Sequence, residues 1–139
     1  MAAIANIVIN DGKASPVAHT FAPVTSSDPN GVALWTDRAT GIAVGFPVIS
    51  LKLRQPTKTS RVFKLSSKVK LPVLNVTSPA TGTGIQPLPS VAYNIEANIE
   101  FSMPEASLLA DRKDFFAFVK NYMANAVWTA AVENYEEVF

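Results

Sequence analysis

The sequence predicts an α+β fold: an antiparallel sheet with two C-terminal helices on one of its faces. Three observations predict it. Apolar and polar residues alternate with period two in stretches from Ile4 to Met103, and such alternation marks half-buried strands. Spacing of three and four appears only after Asp111. All strands precede all helices, and no internal repeat is present, which points to α+β rather than alternating α/β.

IANIVIN, from Ile4 to Asn10, opens the sheet. Asp11-Gly12 then reads as a hairpin turn, with glycine supplying a positive φ. The return strand covers about Ser15 to Val24, which gives a hairpin over about residues 3–24. SSDPNG is a turn cluster, and VALWT, Val32 to Thr36, is a short strand. Another short strand is expected from Gly41 to Gly45. Two stronger strands, Val48 to Arg54 and Val62 to Leu71, flank the turn QPTKTS. NVTSPATGTGIQPLPS, residues 75–90, has three prolines, two glycines and no charge, and reads as a long loop. Loops of this length are usually functional. Ala92 to Met103 is the last strand, so the sheet spans about residues 31–103.

The helices occupy about residues 111–135. Asp111 and Asp114 are candidate caps for the first, favouring its positive end. Phe115, Phe118, Val119, Tyr122 and Met123 form its apolar side, and Val127, Trp128, Ala131 and Tyr135 that of the second.

A chain of 139 residues suits one domain. Hydrophobic residues make up 48% of it and charged residues 17%, so it is globular, and buried subunit contacts are expected. It has no cysteine, which excludes disulfides, thiolate metal sites and a cysteine nucleophile. His19 is the single histidine, poor material for a zinc site. No cofactor and no small-molecule substrate is implied. No signal peptide and no membrane span is expected, and the protein is read as soluble and made in a cytoplasm.

The charge is distributed unevenly. The segment Lys52 to Lys70 holds seven of the twelve Lys and Arg residues and no acid, although the net charge is only +1. Strand parity sorts these residues onto faces. Ile49, Leu51 and Leu53 point one way, and Ser50, Lys52 and Arg54 the other. Phe63, Leu65, Val69 and Leu71 oppose Lys64, Ser66, Lys68 and Lys70. Tyr93, Ile95, Ala97, Ile99, Phe101 and Met103 oppose Asn94, Glu96, Asn98, Glu100 and Ser102. The apolar faces need a cover, which the helices can supply. The other side of the sheet gathers five cations against Glu96 and Glu100. If the two basic strands pair, even positions must face even positions: Lys52 faces Lys64 or Ser66, and Arg54 faces Val62 or Lys64. Opposed like charges cost stability. The face is either a solvated surface partly balanced by the two glutamates or a surface built for a phosphate backbone.

Enzyme chemistry is not indicated. His19 has no candidate triad. Glu96 and Glu100 read as countercharges for the lysines rather than as an acid–base pair. TGTG lacks the lysine and the strand–helix setting of a phosphate loop.

The order of motifs resembles the coat proteins of the single-stranded RNA bacteriophages, the leviviruses. INDGK resembles their first hairpin, and PNGVALW their Asn-Gly-Val-Ala segment. SLKLRQPTKTSRVFKL resembles their strand, turn and basic strand; AYNIEANIEFSMP their last strand; AFVKNYM their first helix. The close of the chain, Asn134 to Phe139, is similar too. Each motif is weakly specific, but their order and spacing cover nearly the whole chain.

The resemblance implies a single coat-protein domain over residues 1–139: an N-terminal hairpin, a five-stranded sheet and two helices. It implies an interlocked homodimer, each chain laying its helices over the partner's sheet. Such dimers would close into an icosahedral T=3 capsid in the bacterial cytoplasm, with the open sheet face towards single-stranded genomic RNA. The 75–90 loops would gather at the five-fold and quasi-six-fold axes. The RNA site carried over by position comprises Val32, Ser50, Lys52, Arg54, Lys64, Ser66, Lys68 and Asn98; Lys70 and Glu96, on the same face, complete ten candidate RNA-binding residues. The family also binds an operator hairpin as a translational repressor. Glu96 departs from the family pattern, standing where well-known members stack a tyrosine on a base. An acid cannot stack and repels phosphate, so any hairpin recognition here would use other residues. The competing reading is a small RNA-binding protein or repressor that does not assemble.

Overall fold

A computed structural model describes residues 4–24, 31–76 and 87–139. The chain divides into two compact units, residues 1–55 with 63–102 and residues 56–62 with 103–139.

The first unit is the sheet. Its six strands are β1 (Ile7–Asn10), β2 (Ala18–Val24), β3 (Val32–Thr36), β4 (Val48–Arg54), β5 (Val62–Leu74) and β6 (Val91–Pro104), the ends of β5 and β6 passing into the second unit. They lie side by side in chain order, without crossovers. The hairpin is continuous with the five-stranded part because β2 changes partner midway. Its residues from Ala18 to Phe21 pair with β1, and those from Ala22 to Val24 pair with β3.

Two turns differ from the sequence expectation. Gly12 is not among the residues with positive φ. Asp11 makes the turn instead: its Oδ1 accepts from the Val17 N–H at 2.9 Å and the Lys13 N–H at 3.3 Å. Its own N–H bonds the Val17 carbonyl at 3.0 Å. A side-chain acceptor thus closes a wider loop than a two-residue turn. The strand expected from Gly41 to Gly45 is absent. A 3-10 turn covers Ala43–Gly45, preceded by Gly41 at φ +69°, and two successive turns leave no room for pairing.

That 3-10 turn ends at a tight contact. Gly45 is buried, and a Cβ there would lie 2.8 Å from Cδ1 and 3.0 Å from Cγ of Leu74. Gly45→Ala is therefore expected to destabilise the sheet by about 1–3 kcal/mol through overpacking. A chemical denaturation midpoint equal to that of the unmodified protein would contradict this.

Burial is sparse. Among the described residues the buried large apolar side chains are Phe21 at 5% and Trp35 at 8% exposure. Trp35 also donates its indole N–H to the Ala5 carbonyl at 2.9 Å, fixing the segment that leads into β1. The apolar row through Trp35, Ile49 and Val69 follows from the registers of β3, β4 and β5. Further along the same face Leu51, Leu53, Leu71, Tyr93 and Ile95 are exposed.

The second unit contains α1 (Leu109–Met123) and α2 (Ala126–Asn134). Asp111 lies in the first turn of α1, but neither it nor Asp114 caps the helix; the N-cap is Leu108, without a side-chain bond. Ser107 and Arg112 organise this entry instead. Arg112 donates to the Ser107 carbonyl and, at 3.1 Å, to its hydroxyl, which donates to the Pro104 carbonyl at 2.7 Å. Asn125 caps α2 by accepting from the Val127 N–H at 3.1 Å. Tyr135, expected inside α2, ends it in the left-handed conformation at φ 57°. Tyr122 and Trp128 meet edge to face, with centroids 5.5 Å apart. Neither helix buries a residue.

Candidate nucleic-acid interface

The even positions of β3, β4 and β5 line up across the sheet. Val32 pairs with Lys52 and Lys52 with Ser66; Leu34 pairs with Ser50 and Ser50 with Lys68; Thr36 pairs with Val48 and Val48 with Lys70. Arg54 pairs with Lys64. Even faces even, as parity requires, and the register takes one of the two pairings open to each cation. Eight of the ten predicted site residues, from Val32 to Lys70, thus lie on three hydrogen-bonded strands with one side-chain parity. On the opposite parity Ser67 interrupts the apolar run, and its hydroxyl is satisfied by the Ser50 carbonyl at 3.0 Å.

The other two, Glu96 and Asn98, come from β6. Glu96 Oε2 lies 2.6 Å from Lys68 Nζ, and Glu100 Oε1 lies 3.5 Å from Lys64 Nζ. A step of four along β5 is matched by a step of four back along β6, as in antiparallel neighbours. Asn98 falls between the two acids on the same parity of β6. The hydrogen bond from Lys68, followed by the charges of Lys68 and Lys70, holds the Glu96 carboxyl below its ordinary value against a smaller opposing effect of burial. Glu96 is therefore an anion at neutral pH, and Lys68 is its partner. Lys52, Arg54 and Lys70 have no ion pair among the described residues.

One further cation of the basic stretch is used differently. Arg61 belongs to the second unit, where its Nε bonds Glu105 Oε2 at 3.0 Å.

The structure also reveals what the sequence reading of His19 missed. Its ring lies between Asp37 at 2.7 Å and Asp11 at 3.4 Å. The hydrogen bond from His19, then that from the Ala39 N–H, lowers the Asp37 carboxyl although burial opposes it. Among the described residues the ring's hydrogen-bond partners are the two carboxylates, so the arrangement is a His–Asp bridge and not a nucleophile triad. Among the described residues no cluster of His, Asp or Glu is arranged to hold a metal ion.

The sheet face can thus neutralise an extended polyanion. The profile of the levivirus coat proteins matches residues 2–139. The chain belongs to the levivirus coat protein family. It is accordingly a capsid structural protein of a phage, and not an enzyme.

Solved structures agree. The coat protein is similar to the virus-like particle of bacteriophage ESE058, at 29% identity and TM-score 0.89, covering 99% of this chain and 100% of that one. It is similar to the virus-like particle of bacteriophage NT-214, at 26% identity and TM-score 0.87 over 99% and 100% of the two chains. The capsid protein of bacteriophage GA shares the fold at 20% identity and TM-score 0.70, over 94% of each chain. Comparison with curated proteins gives no match. The six antiparallel strands followed by two helices are the arrangement of these coat proteins.

Proposed function

We propose that this coat protein works as an interlocked homodimer, and that the dimers close into an icosahedral T=3 shell in the bacterial cytoplasm with the polar sheet face towards genomic RNA. The observation that carries the dimer is the exposure of both helices and of the apolar sheet residues in a single chain. Monomeric soluble proteins rarely leave such apolar surface uncovered, and an obligate dimer interface resembles a core cut in half. The family match over residues 2–139 supports reading the chain as one coat domain. The virus-like particles formed by two relatives support assembly.

RNA contact is assigned to Val32, Ser50, Lys52, Arg54, Lys64, Ser66, Lys68, Lys70 and Asn98. Lys52, Arg54 and Lys70 are the cations available without breaking an ion pair. Glu96, paired with Lys68, puts a carboxylate and no ring at the stacking position, so packaging of RNA through the unpaired cations is favoured over repression through one hairpin.

The test is expression of the chain alone. Negative-stain microscopy should show uniform shells, and extraction should recover RNA. The 75–90 loop separates a shell protein from a free RNA-binding dimer. Residues 77–86 lie outside the described ones, but the loop's ends are joined: the Asn75 N–H bonds the Ser90 carbonyl at 2.9 Å, and its side-chain amide bonds the Ser90 hydroxyl at 2.7 Å. Deleting residues 78–85 should leave folded dimers that do not close uniformly. Dimers without shells from the unmodified chain, or normal shells from the deletion, would count against the assembly reading.

A further inference from the structure

His19 stands on β2 with a carboxylate on each side of its ring. Nδ1 is 2.7 Å from Asp37 Oδ2, and Nε2 is 3.4 Å from Asp11 Oδ2. An ionised carboxylate only accepts, so each ring nitrogen must carry a hydrogen to bond it. Only the imidazolium carries both. A neutral ring would turn a lone pair towards one of the acids.

The two acids belong to separate parts of the sheet unit. Asp37 follows β3 and is 5% exposed. Its Oδ1 accepts from the Ala39 N–H at 2.9 Å, and its own N–H bonds the Pro47 carbonyl at 3.1 Å, closing the connection to β4. Asp11 opens the turn between β1 and β2 and holds the Val17 N–H at 2.9 Å. The imidazolium therefore joins the hairpin turn to the β3–β4 connection.

The other charged groups nearby are few. Lys13, from the turn, sits 2.8 Å from Asp11 Oδ2. Arg38 follows Asp37, and its Nε donates to the Thr36 hydroxyl at 3.3 Å. Across the ladder on β1, His19 faces Ile9, which brings no charge. On loss of the proton the weaker tie should open. That is the longer one, to Asp11, because Asp11 keeps Lys13 as a partner while Asp37 is buried and, among the described residues, has no other cation beside it. A cavity of about 420 Å³, lined by Val17, His19, Thr36 and Arg38 among others, gives water access to the ring.

We infer that His19 is a protonation-controlled staple: charged, it ties the Asp11–Val17 turn to the β3–β4 connection, and neutral, it releases that turn. The hydrogen bond from Asp37, then that from Asp11, raises the imidazole above its ordinary 6.5. A raised histidine stabilises fully below its unfolded value, and its contribution is lost as pH rises through the folded value. The turn is therefore held below the raised folded value and loosens as pH rises through it.

His19 is the only histidine in the sequence. Imidazole C2-hydrogen exchange followed by mass spectrometry therefore reads this group alone in the purified protein. The expected midpoint lies above 6.5 and falls in Asp37→Asn. Amide exchange over residues 13–17, corrected for its intrinsic pH dependence, should speed up above that midpoint. In His19→Gln that pH dependence should vanish. A wild-type midpoint at or below 6.5, or the same pH-dependent protection in His19→Gln, would overturn the staple. The wild-type midpoint decides even if a variant does not fold.

Discussion

Phe118→Asp should abolish particle formation altogether. Phe118 is 71% exposed in the single chain. It lies on α1 with Phe115 and Tyr122 three or four residues away, the spacing of one helix face. In the proposed dimer that face is covered by the partner's sheet. Removing the ring forfeits about 1.5–3 kcal/mol of burial. The introduced carboxylate must either stay hydrated, holding the surfaces apart, or be buried unpaired at a further cost. A two-fold interface repeats the damage in each subunit. The outcome should be monomer or aggregate in size-exclusion chromatography with multi-angle scattering, and no shells by microscopy. Phe118→Leu keeps an apolar side chain there and should still assemble. Normal shells from Phe118→Asp would mean that this face meets solvent in the particle, and the interlocked dimer would have to be abandoned.

The parts of this architecture legible in the sequence are those with a period. β4 matches the expected Val48 to Arg54 in both bounds, because its side chains alternate without interruption. The cationic face follows from the same parity, and its register was confined to two pairings, of which Lys52 with Ser66 and Arg54 with Lys64 is realised. β5 runs past Pro72 to Leu74. The expected end at Leu71 treated proline as a terminator, whereas a strand tolerates it where its missing N–H is not needed. Features set by single side chains were not legible. The Asp11 turn depends on one carboxylate reaching Val17, six residues on. The His19–Asp37 contact joins residues eighteen apart, and no local pattern announces it. Helix entry at Leu108 rather than at an aspartate has the same origin, since Ser107 and Arg112 complete the turn that a cap would otherwise satisfy.

The largest effect on RNA should come from the cations that are not paired. Lys52→Ala, Arg54→Ala and Lys70→Ala together remove three phosphate contacts in the proposed site. Each contact to single-stranded RNA contributes about 0.7 to the slope of log affinity against log salt, so the slope should fall by about 2 and affinity near 0.1 M salt by roughly a hundredfold. Lys68→Ala should cost less, because Lys68 already spends its charge on Glu96 at 2.6 Å. Glu96 acts in the opposite sense. Its lowered titration keeps it ionised above its ordinary 4.5, so acidification relieves its repulsion of phosphate only below that value. Between pH 5 and pH 8 binding should therefore be insensitive to this group. Glu96→Tyr removes the repulsion at every pH and offers a ring on which a base can stack, worth about 1–3 kcal/mol. It should tighten binding of unrelated RNAs. Phosphate contacts position RNA without reading it, so the unmodified protein should enrich no single member of a randomised hairpin pool at fixed salt. Strong enrichment of one hairpin, abolished by Asn98→Ala yet indifferent to the three cation substitutions, would refute this. It would show that Asn98, between the two acids of β6, reads bases, and that Glu96 orients the face for that reading rather than opposing it.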